Sequence, residues 1–316
     1  MMRPKNEHKR FFLNVMLGLA ALFSAVGAFN YALDPFKMNM QFEFGLPRDT
    51  VSAQANPQLL KIIQFDRKPC RNIILGDSRG NAFATEVVEE LTGEEYFNFS
   101  FHGSSPSEAR DILQRAAGSS SLKNVYMAVN FDYMGRNELR DSVAQAARTA
   151  DNPLIYYFSI FTSRIAARNL ADLLRNKEAT PSNPPPRSQD EHWRFMLEKR
   201  GSLIFRNMTY PNRNLEILKD IKHICETEGA RLVFIIPPTH ADFRNLIGEH
   251  GLTDGFTRFK ADLAAISETA DCDFDGELTE DRNNFSDPTH VTKETIEIIA
   301  KDVFTGEYAI CRNAGM

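Results

Sequence analysis

Past residue 70 the chain alternates short apolar runs with stretches whose apolar positions recur at helical spacing. The run Asn72-Ile73-Ile74-Leu75 predicts a buried strand, followed by a turn at 76–79 and a helix through about Leu91. A second short strand is predicted at 96–99. Ser105-Pro106-Ser107-Glu108 then has capping-box spacing with proline at the first helical position, so a helix should start there. The third strand is predicted at 124–129. Leu215, Leu218, Ile221 and Cys225 follow at helical spacing, ended by Gly229 and succeeded by the strand Leu232-Val233-Phe234-Ile235-Ile236. A last amphipathic helix carries Ile296, Ile299 and Val303 on one face. Strands and helices in this order predict an α/β fold on a central parallel sheet. The chain has no internal repeat.

Three stretches stand outside this rhythm. Residues 11–33 carry no charge and follow Arg3, Lys5, Lys9 and Arg10. At about 1.5 Å per residue the run reaches roughly 34 Å as a helix, enough to cross a hydrocarbon core of about 30 Å. The basic flank places the N-terminus in the cytoplasm and everything after Asp34 outside it. A cleaved signal peptide is the rival, since Val26-Gly27-Ala28 has small-residue character, but the apolar run outlasts a signal core. Residues 34–69 are polar and contain proline, and read as a connector. Residues 133–210 interrupt the α/β order as an insertion. Within it, 154–174 reads as helix packed on the body of the domain, and the proline run at 180–186 cannot continue a helix. The expected organisation is therefore a basic cytoplasmic tail (1–10), a transmembrane signal-anchor (11–33), a connector (34–69) and an α/β domain (70–316).

Composition narrows the function classes. With 42% apolar residues the 316-residue chain can bury a core. A formal charge of −5 and the absence of a basic run interleaved with aromatics argue against nucleic acid as a partner. The four cysteines, Cys70, Cys225, Cys272 and Cys311, form no CxxC, and the histidines lack metal-ligand spacing, so no metal is expected. An exported domain permits disulfides, and four cysteines allow three pairings, among which the sequence does not choose.

In open α/β sheets ligands bind beyond the carboxyl ends of the strands, so the residues just after each apolar run carry the chemistry. Gly76-Asp77-Ser78-Arg79 sets a serine at a strand-to-helix turn, near free backbone N–H groups that can stabilise an oxyanion. A helix cap is the competing reading of Asp77 or Ser78. Near the other end, Ser286-Asp287-Pro288-Thr289-His290 places an acid three residues before a histidine, just ahead of the last helix. That pair can supply a base and the group that fixes its tautomer. His240, after Pro237-Pro238-Thr239 at a strand end, is at the right end of the sheet to bind substrate; an exposed loop histidine is the plainer reading. The same two readings apply to His102.

Gly76-Asp77-Ser78 after the first core strand, Gly103 after the second, Asn130 after the third and Asp287-x-x-His290 before the last helix resemble, in order, the four blocks of the SGNH (GDSL-like) hydrolase superfamily. The resemblance covers about residues 72–304. It implies a three-layer flavodoxin-like SGNH fold and a triad of Ser78 as nucleophile, His290 as general base then acid, and Asp287 as its orienter. Gly103 N–H, Ser78 N–H and the Asn130 amide would form the oxyanion hole, and no cofactor is implied. The third block departs from the family's Gly-x-Asn-Asp, reading Ala128-Val129-Asn130-Phe131-Asp132. Arg79 replaces the leucine of the GDSL signature, which together with the anchor is similar to the membrane-anchored envelope polysaccharide O-acyltransferase and esterase branch. Arg79 is a candidate for binding an anionic polymer, or else a structural ion pair.

The expectation is thus a serine esterase or O-acyltransferase on the periplasmic side of the inner membrane, held in the bilayer by residues 11–33. Its substrate would be a glycan or other envelope ester. A transferase of this kind implies a multi-span membrane acyltransferase as donor of the acyl group. The alternative is a catalytically inactive SGNH-like component that binds or assembles an envelope polysaccharide complex, since a fold resemblance does not establish activity.

Overall fold

The protein is described here by a computed structural model, in which residues 5–39, 45–46, 48–135, 141–175 and 188–314 are the described ones. The chain divides into two compact units, Met1–Arg67 with Ala144–Asn183, and Lys68–Val143 with Pro184–Met316. The proline run at 180–186 lies outside the described residues.

The described residues of the first unit form helices. Its longest helix, Lys5–Leu33, is long and apolar enough to cross a membrane, and its apolar side chains are almost all exposed. Asp34 ends it: the carboxylate accepts the N–H groups of Met38 and Asn39, both at 2.8 Å. Residues 34–69, read from sequence as connector, instead carry the helices Arg48–Ala55 and Pro57–Arg67. The second buries Leu59, Leu60, Ile62, Ile63 and Phe65, whose spacing makes a helical face. The expected helix over 154–174 is two, Pro153–Tyr157 and Ile160–Leu174, the second capped by Ser159. The second of these belongs to the first unit. Its partner is the long N-terminal helix, whose Asn30 amide donates to Tyr157 O at 2.6 Å and to Ser163 Oγ at 2.9 Å.

The second unit is α/β. Its main sheet has six strands in the order β2-β1-β3-β4-β5-β8: β1 Asn72–Leu75, β2 Phe97–Asn98, β3 Asn124–Ala128, β4 Arg231–Ile236, β5 Glu268–Asp271 and β8 Arg312–Asn313. All neighbours are parallel except β5 and β8. A separate antiparallel pair joins β6, Phe285–Asp287, to β7, His290–Val291. Successive side chains of a strand point to opposite faces, and Ile73, Ile74, Leu75, Val125, Tyr126 and Met127 are all buried, so the sheet is covered on both sides. One cover is formed by the helices Thr85–Thr92 and Lys293–Thr305, with Val88, Ile296, Ile299 and Val303 against Ile74, Val233 and Ile235. The helix Pro106–Ser119 opens with the expected reciprocal cap, Ser105 and Glu108 each accepting the other's backbone N–H. Arg213–Glu228 ends at Gly229 in the left-handed conformation.

Cys272 and Cys311 form a disulfide that ties the end of β5 to the segment leading into β8. Cys70 and Cys225 are buried thiols. Burial pushes both up in pKa, Cys225 to about 12, which keeps them protonated and inert.

Candidate active site

The strand order 2-1-3-4-5 reverses direction between β1 and β3, and ligands of such sheets sit at that switch point beyond the strand ends. The β1 and β3 ends are closely apposed. Gly76 has φ +142°, and a Cβ there would come within 2.9 Å of Ala128 Cβ and O. Only glycine fits the turn that lifts the next residues out of the sheet. Asp77 then caps the short helix Ser78–Asn81 by accepting Arg79 N–H at 2.9 Å, so the cap and the candidate nucleophile are different residues. The loop after β2 hangs from the same turn: Phe101 N–H and Ser104 Oγ–H both donate to Gly76 O, at 3.1 and 2.8 Å. This loop carries Gly103, at φ +71°, and the exposed His102.

The β6–β7 hairpin closes the site from the far end of the sequence. Asp287 and His290 face each other across its Pro288-Thr289 turn. Asp287 Oδ1 accepts Thr289 N–H, Thr289 Oγ–H and His290 N–H at 2.8, 2.9 and 3.0 Å. Its Oδ2 lies 2.7 Å from His290 Nδ1. Burial opposes ionisation of this carboxyl, but the hydrogen bonds from His290 and Thr289 outweigh it, holding Asp287 well below the ordinary carboxylate range. An ionised Asp287 can only accept, so Nδ1 carries the proton and Nε2 is left as an acceptor. Ser78 Oγ sits 2.7 Å from that Nε2 and donates to it. Residues 78, 287 and 290 thus form one hydrogen-bonded chain across more than two hundred positions of sequence.

Asn130, two residues past β3 at the start of the short helix Phe131–Met134, is 1% exposed, with neither its amide nitrogen nor its oxygen hydrogen-bonded. A buried amide without partners is costly, about 1–3 kcal/mol per group. Its two neighbours take other duties. Phe131 enters an aromatic cluster with Phe205, Tyr210, Phe256 and Phe259. Asp132 turns back to Arg79, 2.8 Å from its guanidinium, and Asp77 pairs with the same nitrogen at 3.0 Å. Arg79 is 4% exposed. Burial works against its charge, and the two carboxylates outweigh that, raising its pKa above the ordinary arginine value. Of the two roles open for Arg79, its contacts fit the structural ion pair. One nitrogen, Nη1, still has no hydrogen bond, and Arg79 lines the cavity beside Ser78.

His240 is not brought to the nucleophile. Its Nδ1 accepts Asp242 N–H at 3.1 Å, leaving Nε2–H to donate to Glu280 O at 3.2 Å. The ring sits between Trp193 and Phe285. Both ring nitrogens are thus engaged within the protein, and the backbone N–H donates to Pro288 O at 2.9 Å, at the hairpin turn.

Several residues at the site carry no signal in the sequence. The cavity, about 20 Å³, is lined by Ser78, His290, Thr289, Met196, Ile204 and Phe243, with Arg200 also on its wall. Such a volume holds about one water-sized group. Met196, Arg200 and Ile204 fall in the stretch read as insertion, where Gln189–Phe195 is followed by a π-helical turn, Met196–Gly201. Arg200 is exposed and makes no hydrogen bond or ion pair among the described residues. His192, in the same segment, places Nε2 3.5 Å from Asp287 Oδ2. Arg282 anchors the segment by pairing with Asp190 at 2.5 Å and stacking on Trp193. No group of metal-ligating side chains occurs among the described residues. Set against known proteins, the sequence matches no family model and no curated protein.

Proposed function

We propose that this chain is a serine-dependent acyl-ester hydrolase or O-acyltransferase with a three-layer, flavodoxin-like SGNH fold. It would work at the periplasmic face of the inner membrane, with its N-terminus in the cytoplasm. The observation that carries the reading is the unbroken chain from Ser78 Oγ through His290 to the ionised Asp287, 2.7 Å at each link. In this mechanism Ser78 Oγ attacks the acyl carbonyl as His290 Nε2 takes its proton. The oxyanion forms beside Ser78 N–H, Gly103 N–H and the unpaired Asn130 amide. His290 then protonates the departing alcohol, leaving Ser78 acylated. Water or a sugar hydroxyl, deprotonated by His290, releases the acyl group and restores the serine.

The narrow cavity favours a short acyl group over a long one. Arg200 on the cavity wall is placed to hold an anionic or hydroxyl-rich carrier. The long apolar helix, with basic residues before it, supports tethering at the membrane where envelope glycans are assembled. A transferase would take its acyl group from a multi-span membrane partner. The test is hydrolysis of p-nitrophenyl acetate by the full-length chain in detergent. Turnover that vanishes in Ser78→Ala is expected; equal rates in both proteins would overturn the catalytic reading and favour an inactive binding or assembly component.

A further inference from the structure

Between Asn152 and Ser163 the chain carries no charge. The helix pair formed there exposes large apolar side chains: Leu154 is 68% and Ile160 79% exposed, and Ile155, Phe158 and Phe161 are also open. A contiguous apolar surface of this kind marks an interaction site. What it meets follows from where it is attached. The Phe158 ring lies over Gly27, so close that a Cβ there would come within 2.9 Å of it. Its centroid is 6.2 Å from that of Phe23, and Tyr157 lies 5.4 Å from Tyr31. At about 1.5 Å per residue, Gly27 and Phe23 are roughly 9 and 15 Å before the helix end at Leu33. A helix spanning a core of about 30 Å and leaving it near Asp34 therefore carries Phe158 below the membrane surface.

The backbone is arranged for that depth. Hydrocarbon offers no partner to a broken helix, so non-helical backbone there must turn its polar groups into the protein. The break between Pro153–Tyr157 and Ile160–Leu174 does so. Asn30, fully buried on the spanning helix, donates to Tyr157 O and Ser163 Oγ. Ser159 Oγ accepts the N–H groups of Phe161 and Thr162 at 3.1 and 3.4 Å. Tyr156, also fully buried, donates its hydroxyl to Asp34 at 2.8 Å and accepts Phe36 N–H at 3.0 Å. The Tyr157 carbonyl and the N–H groups that open the second helix thus find partners within the protein, while the large apolar side chains face outward.

We propose that residues 153–161 form a second membrane element, a short helical wedge seated in the leaflet where the spanning helix emerges, with lipid acyl chains as its partner. It rests on the helix being a membrane span, and not on the chemistry at Ser78. Attachment at two points would stop this unit from rotating freely about the helix axis.

The test places a nitroxide on single cysteines, Leu154→Cys, Ile155→Cys or Ile160→Cys, in the full-length chain reconstituted into phosphatidylcholine vesicles. Cys70 and Cys225 are buried, so the new thiol takes the label. These side chains are exposed, and the use of three sites keeps one misfolded variant from deciding the outcome. Collision rates with oxygen and with a water-soluble nickel chelate are compared with Leu19→Cys as the hydrocarbon reference and Glu228→Cys as the aqueous one. Oxygen accessibility exceeding nickel accessibility several-fold, as at Leu19, is the expected result. Labels behaving like Glu228 overturn the wedge. Labels open to nickel in pure lipid but shielded in native membranes assign the surface to a protein partner and also overturn it. A nickel-accessible Leu19 overturns the membrane span and the wedge together.

Discussion

His290→Ala lowers the turnover of p-nitrophenyl acetate by about 10⁶-fold and Asp287→Asn by about 10⁴-fold, the pattern expected when three side chains act as one unit. The asymmetry follows from the hydrogen bonds. Without His290 no group takes the proton of Ser78 Oγ. With asparagine at 287, the imidazole loses the acceptor that keeps its proton on Nδ1 and its Nε2 free for the serine. His192 is the internal control. It is half-exposed and 3.5 Å from Asp287, a contact worth at most about 1 kcal/mol, so His192→Ala costs no more than about fivefold. Steady-state rates of the three variants check the assignment. A loss at His192 matching that at His290 would show that the wrong histidine has been placed in the triad.

Arg79→Met destabilises the protein by about 3–5 kcal/mol, because it leaves Asp77 and Asp132 buried without their counter-charge. The same substitution unties the turn after β1 from the segment after β3. Replacing the whole cluster, with Asp77→Asn, Arg79→Met and Asp132→Asn together, restores much of that stability, since exchanging a complete buried ionic cluster for neutral groups is close to neutral and asparagine still caps the helix. Urea unfolding of the single and triple variants measures both. A single-variant loss below about 1 kcal/mol would mean that water reaches the cluster and that Arg79 does not hold the two turns together.

The strands built from β-branched and aliphatic runs were legible in the sequence, as were the Ser105 cap and the Gly229 stop, because each is decided by its own neighbours. β5 was not: Glu-Thr-Ala-Asp has no apolar run, and its strand geometry comes from pairing with β4. The connector hid two helices for a similar reason. Proline and polar residues mask the apolar face of Pro57–Arg67, which appears only when Leu59, Ile62, Ile63 and Phe65 are set on one helix. At the site, residues 78, 287 and 290 could be named from local motifs. Arg79 could be named but not assigned, since its partner Asp132 lies fifty-three positions away. Met196 and Arg200 reach the cavity, and His192 approaches Asp287, on a helix and π turn whose local pattern says nothing of chemistry. His240 shows the converse: its position after a strand end suggested substrate contact, and its ring is consumed by Asp242 and Glu280 instead.

An activated Ser78 is open to covalent labelling. The full-length chain is treated with a fluorophosphonate, digested, and the modified peptide is located by mass spectrometry. One adduct is expected, on Ser78, formed in the wild-type chain and absent from His290→Ala under the same exposure. A folded wild-type protein that forms no adduct at Ser78, or one labelled equally well without His290, would contradict that activation.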